Sequence, residues 1–376
     1  MRKILLGTTA VVGAALIGAT SAQAQTAPTV RVGGYFDFGT AFVDDSLEVA
    51  GGDYNTISMY SDLEVVVTVR GKTANGLSYG ADIELQTDAG GAGSTTLNTD
   101  EAWGFISSPT LGTLQFGDND SAANQLAVSA PSLHQSSPSG AWIDFAINGQ
   151  YINSSINDGN DSTKIIYLSP QFFGFDFGLS YAPNAGEGES QFFGNGALRR
   201  DQTANPSATG NIQNEISAGI RYRGSFGNIG VAAGFGFMTG DAPTGSGLED
   251  PTAYQVGATV TGYGLTVGAH YLWGQYLAPS FGRGALARGL DDSTTLNFGA
   301  VYRMGAFAVN AFYAIGTQDL GPVEREQTAW GLGATYALAP GMELWATYNN
   351  VDDEDFTAAG ADRDMNIFAL GVRLAF

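Results

Sequence analysis

Large apolar side chains return at every second position over most of this chain. Val30, Val32, Phe36 and Phe38 alternate with Arg31, Gly33, Tyr35 and Asp37. Leu63, Val65, Val67 and Val69 alternate with Glu64, Thr68 and Arg70, and Leu77, Tyr79, Ala81, Ile83 and Leu85 with Ser78, Asp82, Glu84 and Gln86. The last run, MNIFALGVRLAF, sets Phe368, Leu370, Val372, Leu374 and Phe376 on one parity and Ala369, Gly371, Arg373 and Ala375 on the other. A period of two places alternate residues on opposite faces of a β-strand. Similar runs occur at 175–181, 216–222, 229–237, 254–260, 265–273, 296–302, 307–315, 330–338 and 342–348. Shorter candidates at 101–107, 113–117 and 164–169 bring the expected count to sixteen strands. No 3.6-residue pattern is long enough for a substantial helix.

The connections alternate between short and long. Short ones carry Gly, Asn or Pro, as in TANG (73–76), SSPTLG (107–112), GN (227–228), YG (263–264), MGA (304–306) and APG (339–341), residues that tight hairpins favour. Long ones fall at 43–56, 87–98, 118–163, 184–213, 240–250, 277–292, 318–326 and 352–364, and they are polar and often acidic. In an up-and-down antiparallel meander, successive connections lie on opposite sides of the sheet. Sorting by length therefore implies a different environment above and below it.

A sheet with one apolar and one polar face must cover the apolar one. In water a second sheet would cover it, and the opposed faces would form a dry core. In a bilayer, lipid covers it and the polar face lines water. Arg70, Arg221, Arg223, Arg303 and Arg373 all fall on the polar parity, and a dry interior could not hold them unpaired. Tyr181, Tyr222, Trp273, Tyr302, Trp330, Tyr336 and Tyr348 stand near strand ends, where two membrane–water interfaces would take them. A sheet in lipid has to close, so the first and last strands are expected to pair. The fold class expected is an all-β transmembrane antiparallel up-and-down β-barrel of about sixteen strands.

Composition sharpens this picture. Arg2 and Lys3 precede an apolar run from Ile4 to Ala19, and Ala22-Gln23-Ala24 fits a small-x-small cleavage site. Residues 1–24 are thus expected to be a cleaved secretory leader, with an N-terminal membrane anchor as the alternative. The remaining 352 residues, 25–376, would form one barrel domain with 14 basic and 37 acidic residues, a net charge of −23. Such a chain does not hold nucleic acid by neutralising phosphates. With no cysteine, it is stabilised without disulfides. Its 16 Tyr and 22 Phe are unlike the composition of a disordered acidic chain.

The leader end Ala22-Gln23-Ala24, VRVGGYFDFG (30–39), SPTLGTLQFGD (108–118) and FALGVRLAF (368–376) carry a family resemblance. Over 25–376 the chain resembles the Gram-negative outer-membrane porins, specifically the general diffusion porins of alphaproteobacteria, the Rhodobacter type. The resemblance implies a homotrimer of sixteen-stranded barrels in outer-membrane lipid, each with its third long loop folded into the pore. Here that loop is 118–163. Its acids, Asp118, Asp120, Asp144, Asp158 and Asp161, with Lys164 at the exit, would face arginines of the wall across a constriction. The wall candidates are Arg31, Arg70, Arg221, Arg223, Arg303 and Arg373; the alternative for these inward arginines is pairing with Glu64, Glu84 or Glu215 on the wall. The stretch WIDFAING (142–149) would be an extra strand or an apolar hook. The final run resembles the terminal signal read by the outer-membrane assembly machinery, through Phe376. Calcium near the third loop would also be consistent with the family.

Other chemistry is sparse. Asp352, Asp353, Glu354 and Asp355, with Asp362 and Asp364, would suit either Ca²⁺ or a solvated outer loop, and their spacing fits no EF-hand. His134 lies in the long loop beside Ser132, and His270 lies on a polar-parity strand position. Neither pattern makes a hydrolase site, so no catalytic residue and no required cofactor are expected. Gly331 and Gly333 lie within a strand and are read as relief of crowding where a wall bends. The function expected is passive diffusion of small hydrophilic solutes and ions, with weak cation preference. A solute-specific channel and a soluble or surface-attached all-β adhesin are the alternatives.

Overall fold

The computed structural model describes residues 27–47, 55–87, 97–145, 152, 154–156, 161–184, 212–242, 250–275, 293–319, 324–354 and 362–376. The expected leader lies outside them. Sixteen strands follow in order: β1 (Thr29–Asp45), β2 (Ile57–Lys72), β3 (Ser78–Thr87), β4 (Leu97–Ser108), β5 (Gly112–Asp118), β6 (Thr163–Leu168), β7 (Phe175–Asn184) and β8 (Gln213–Phe226). Then come β9 (Ile229–Asp241), β10 (Thr252–Gly262), β11 (Leu265–Gly274), β12 (Ser293–Met304), β13 (Phe307–Asp319), β14 (Glu324–Ala339), β15 (Met342–Glu354) and β16 (Arg363–Ala375). Each pairs antiparallel with its neighbours in sequence, and β1 pairs with β16 to close the barrel.

Closure is continuous from Tyr35 opposite Ala375 to Asp45 opposite Met365. Gly34 and Phe376 exchange backbone hydrogen bonds of 3.0 and 3.1 Å, so pairing extends to the last residue. Two ion pairs cross the same seam: Arg363 donates to both oxygens of Asp45 at 2.9 and 2.6 Å, and Arg373 stands 3.9 Å from Asp37. The short connections make tight turns. At Tyr263-Gly264 both residues take positive φ, 54° and 82°, the primed hairpin geometry whose twist matches its strands.

The outward parity is the apolar one. Val30, Val32, Phe38, Phe42, Leu179, Ile220, Leu332, Phe368 and Leu370 are exposed on the outer surface, and all sixteen described strands belong to the one closed sheet. This excludes the sandwich arrangement, because one closed sheet leaves its apolar face outside and needs lipid to cover it. Aromatic rings form a girdle on each side of that band. Tyr254 stacks on Trp273 at 5.2 Å and Trp330 meets Tyr348 at 5.5 Å toward the long-loop rim. Phe175 with Tyr222 and Phe307 with Tyr336, at 5.0 and 4.5 Å, lie toward the short-turn rim. Short turns mark the periplasmic side of such barrels and long loops the outer side.

An arginine on the outer face has nothing to pair with in hydrocarbon. Leu370→Arg, at mid-height on β16, is expected to cost about 2–4 kcal/mol of folding stability. Ala232→Arg, which faces the lumen, should cost much less. Urea unfolding from vesicles, read by heat-modifiable gel migration, measures both.

Candidate functional site

The lumen owes its shape to one loop. β5 and β6 span only 7 and 6 residues, so the wall is low where they meet. Loop 119–162 enters there. Its two ends are tied: Thr163 Oγ1 donates to Asp118, and Lys164 Nζ donates to the Asn119 carbonyl. A short helix, α1 (Ala122–Gln125), begins at Ser121, whose Oγ accepts from the Asn124 N–H at 3.4 Å.

Beyond α1 the loop runs along the inner wall on a lane of inward-facing glycines. Gly219 takes Ala122 and Leu126, Gly236 takes Ala123, and Gly234 takes the Leu126 carbonyl and Val128. Gly257 lies under the Val128 carbonyl, Gly268 and Gly299 under Pro131, and Gly333 under Ser136. A Cβ at Gly257 or Gly299 would collide with loop backbone. Gly331 and Gly333 relieve crowding as expected, making room for Phe312, Asn349 and Asn310 of the wall and for Ser136 of the loop.

Wall side chains hold this track. Ser180 and Ser217 accept from the Ala122 and Ala123 N–H groups at 3.1 and 2.8 Å. Gln255 donates to the Ala123 carbonyl at 2.7 Å, Arg221 to the Gln125 carbonyl at 3.2 Å, and Asn310 to the Ser136 carbonyl at 2.7 Å. Gln135 donates to Asp37 at 2.9 Å, and Asp37 also accepts from Trp345 Nε1 at 2.8 Å.

The loop ends its circuit in an apolar anchor. Trp142 and Phe145, in and after the 3₁₀ turn Ala141–Asp144, pack with Ile152 on inward residues of the wall: Tyr60, Phe312, Trp345, Met365 and Ile367. The apolar-hook reading of WIDFAING is thus correct for Trp142 to Phe145, and 146–149 lie outside the described residues. Burying each large side chain contributes ~1.5–3 kcal/mol, so the anchor is worth several.

The sequence-derived site residues do not gather at one height. Asp118 is occupied by Thr163 at the loop entrance. Asp120 accepts from Asn124 Nδ2 and meets Glu101 and Asp161, with carboxylate oxygens of all three within 4.8 Å of one another. Asp144 is exposed on the 3₁₀ turn, and Asp158 is outside the described residues. Of the basic set, Arg70 forms a two-pronged pair with Asp82 at 2.6 and 2.7 Å, while its guanidinium lies 5.2 Å from the Phe105 ring. Arg221 and Arg223 share Asp176 at 2.7 and 2.9 Å, and Arg221 touches the loop from below. Arg31 and Arg303 are exposed near the short turns. Arg373 alone lies at mid-lumen, its guanidinium 3.8 Å over the Tyr35 ring.

Three inward acids near the loop have no place in the sequence-derived set. Glu64, Glu84 and Glu101 face inward on β2, β3 and β4, and none forms an ion pair among the described residues. Glu101 accepts from Trp103 Nε1 at 2.9 Å. Their polar parity was the available signal, but it pointed to pairing with the wall arginines. Instead those arginines take Asp82, Asp176 and Asp37. In the outer cluster, Asp353 is buried and paired with Arg325, with Gln327 donating to it at 2.8 Å, and Asp355 is outside the described residues. His134 meets Tyr35 edge-on at 6.3 Å, and His270 is buried under the loop.

A family model described as Gram-negative porin matches residues 7–356. No curated protein matches the chain. A mutant of Rh. blastica porin is 20% identical with a TM-score of 0.56, covering 93% of this chain and 100% of its own. A triple mutant of Rhodopseudomonas blastica porin is 22% identical with the same coverage and TM-score 0.56. A loop-deletion form of OmpT, an outer membrane protein of Vibrio cholerae, is 13% identical, again over 93% and 100%, with TM-score 0.58. These structures speak for the barrel architecture.

If the glycine lane seats the loop, filling it should loosen the loop without unfolding the wall. Gly257→Val is expected to weaken the loop's hold by about 1–3 kcal/mol, the usual cost of overpacking. Limited proteolysis within 119–162 should accelerate, while the heat-modifiable barrel band persists.

Proposed function

Because the chain belongs to the Gram-negative porin family and forms an outer-membrane channel for passive diffusion of solutes, we infer that its waist selects for cations. The observation that carries this reading is the concentration of carboxylates at the loop entrance. Glu101, Asp120 and Asp161 come together there. Glu64 and Glu84 extend the negative surface along the neighbouring strands. Low-dielectric walls focus such a field on the water between them. Arg373 and Lys164 moderate it without reversing it. The role is that of a conduit, not a catalyst.

The same trio offers oxygen ligands of the kind hard divalent cations take. Weak calcium binding, at ~10⁻⁴–10⁻³ M as in extracellular modules, would sit on Glu101, Asp120 and Asp161. Assembly as a homotrimer finds support in the low wall. At ~3.4 Å per residue and a tilt near 40°, β5 and β6 rise only ~15–18 Å, short of the ~25 Å apolar band. A neighbouring barrel, rather than lipid, would cover that gap. Phe376, exposed at the periplasmic end of β16, is open to the assembly machinery.

Exchanging Glu101, Asp120 and Asp161 together for Gln, Asn and Asn should move the reversal potential in a KCl gradient toward anions. Asp118→Asn should leave it nearly unchanged. An unshifted potential in the triple variant would remove the waist from this place. Millimolar Ca²⁺ should lower K⁺ conductance in the native pore and not in the triple variant.

A further inference from the structure

The charges of the lumen are sorted along its axis. In the lower half, toward the short turns, six basic side chains point inward: Arg31, Arg70, Lys72, Arg221, Arg223 and Arg303. Among the described residues three acids share that half, namely Asp82, Asp176 and Glu343, so it is net positive by three. Asp82 is matched by Arg70, Asp176 serves two arginines at once, and Arg373 with Asp37 stands at mid-lumen. Arg31, Lys72 and Arg303 carry no ion pair among the described residues and are exposed to the mouth.

The upper half has the opposite sign. Glu64, Glu84, Glu101, Asp120 and Asp161 crowd the waist, and Asp62 and Glu215 stand inward nearby. Arg325 and Arg363, the inward arginines of that half, are spent on Asp353 and Asp45. A cavity of ≈ 380 Å³ lies beside Arg223, lined by Ser225, Ala232, Thr259 and Thr261.

We propose that the basic periplasmic mouth is a second selectivity filter in series with the acidic waist, and that the two together make the pore rectify ionic current. The proposal rests on the channel reading. Cations concentrate in the acidic zone and anions in the basic zone. A voltage positive on the long-loop side drives both toward the junction between zones, where they accumulate and carry more current. The opposite polarity draws both away and depletes the junction. Screening controls the size of the effect, since the Debye length is ~30 Å at 0.01 M salt and ~3 Å at 1 M.

The test is current–voltage recording of the full-length mature pore in planar bilayers. The chain has no cysteine, so Asn228→Cys, in the β8–β9 turn, marks the short-turn side by its reaction with an impermeant charged thiol reagent in one chamber. At 10 mM KCl the current should be ~2-fold or more larger with the long-loop side positive, as potentials of several kT would give. The ratio should fall to one at 1 M KCl. The variant Arg31→Gln/Lys72→Gln/Arg303→Gln, at exposed positions near the short-turn ends of their strands, should lose the asymmetry at 10 mM and keep its open steps. Symmetric currents at 10 mM, or an asymmetry that survives in this variant, would overturn the proposal and leave the channel reading standing. Absence of any conductance would count against the channel reading itself.

Discussion

Closure of the backbone hydrogen-bond ladder is the constraint on which everything else in this molecule depends. Hydrocarbon offers no partner to an N–H or C=O, and each one left unpaired there costs several kcal/mol. An open edge at β1 or β16 would expose a row of them. The chain removes both edges by pairing Tyr35–Asp45 with Met365–Ala375 and adding the Gly34–Phe376 bonds. The ion pairs Asp45–Arg363 and Asp37–Arg373 lie on this seam, one near the long-loop rim and one at mid-height. Once closed, the wall has an inside that holds no lipid, and the described part of loop 119–162 lies against it.

The loop's position follows from a balance of packing against unmet polar groups. Trp142, Phe145 and Ile152 gain burial against Met365, Ile367 and Trp345. Small residues on the wall let the backbone approach closely enough for this. The same approach buries polar atoms that find no partner among the described residues: both ring nitrogens of His270, and one oxygen each of Gln255, Asn310 and Asn349. Each such atom costs ~1–3 kcal/mol unless water reaches it. The apolar anchor and the wall–loop hydrogen bonds must exceed those costs. The loop is therefore held as a fitted part of the wall.

Much of the barrel was legible in the sequence because its code is local. Parity alone assigned Phe368 and Leu370 outward and Arg373 inward, and the Gly and Asn turns fixed the direction of each strand. What parity cannot show is which inward residues a distant segment will cover. Met365 and Ile367 are apolar on the inward parity, next to Phe368 on the outward one, so that stretch reads as ambiguous until Trp142 is seen against it. Pairing is illegible for the same reason. Asp45 and Arg363 are 318 positions apart, and their contact depends on closure. Glu84 looked like a partner for a wall arginine, but the register sets Asp82, two residues earlier, beside Arg70.

The pairing of Arg70 with Asp82 bears on the direction of the field. A transverse field needs opposite charges facing each other at one height, acids on the loop and arginines across from them. Here Arg70, Arg223 and Arg303 lie below the loop, and the acids of β2–β4 lie on the same side of the waist as Asp120 and Asp161. Arg373 comes nearest to the transverse arrangement, but Asp37 stands 3.9 Å from it and Tyr35 covers its face. With positive charge low and negative charge high, the main component of the field points along the pore. An ion then meets two filters one after the other, and its passage depends on the direction from which it comes.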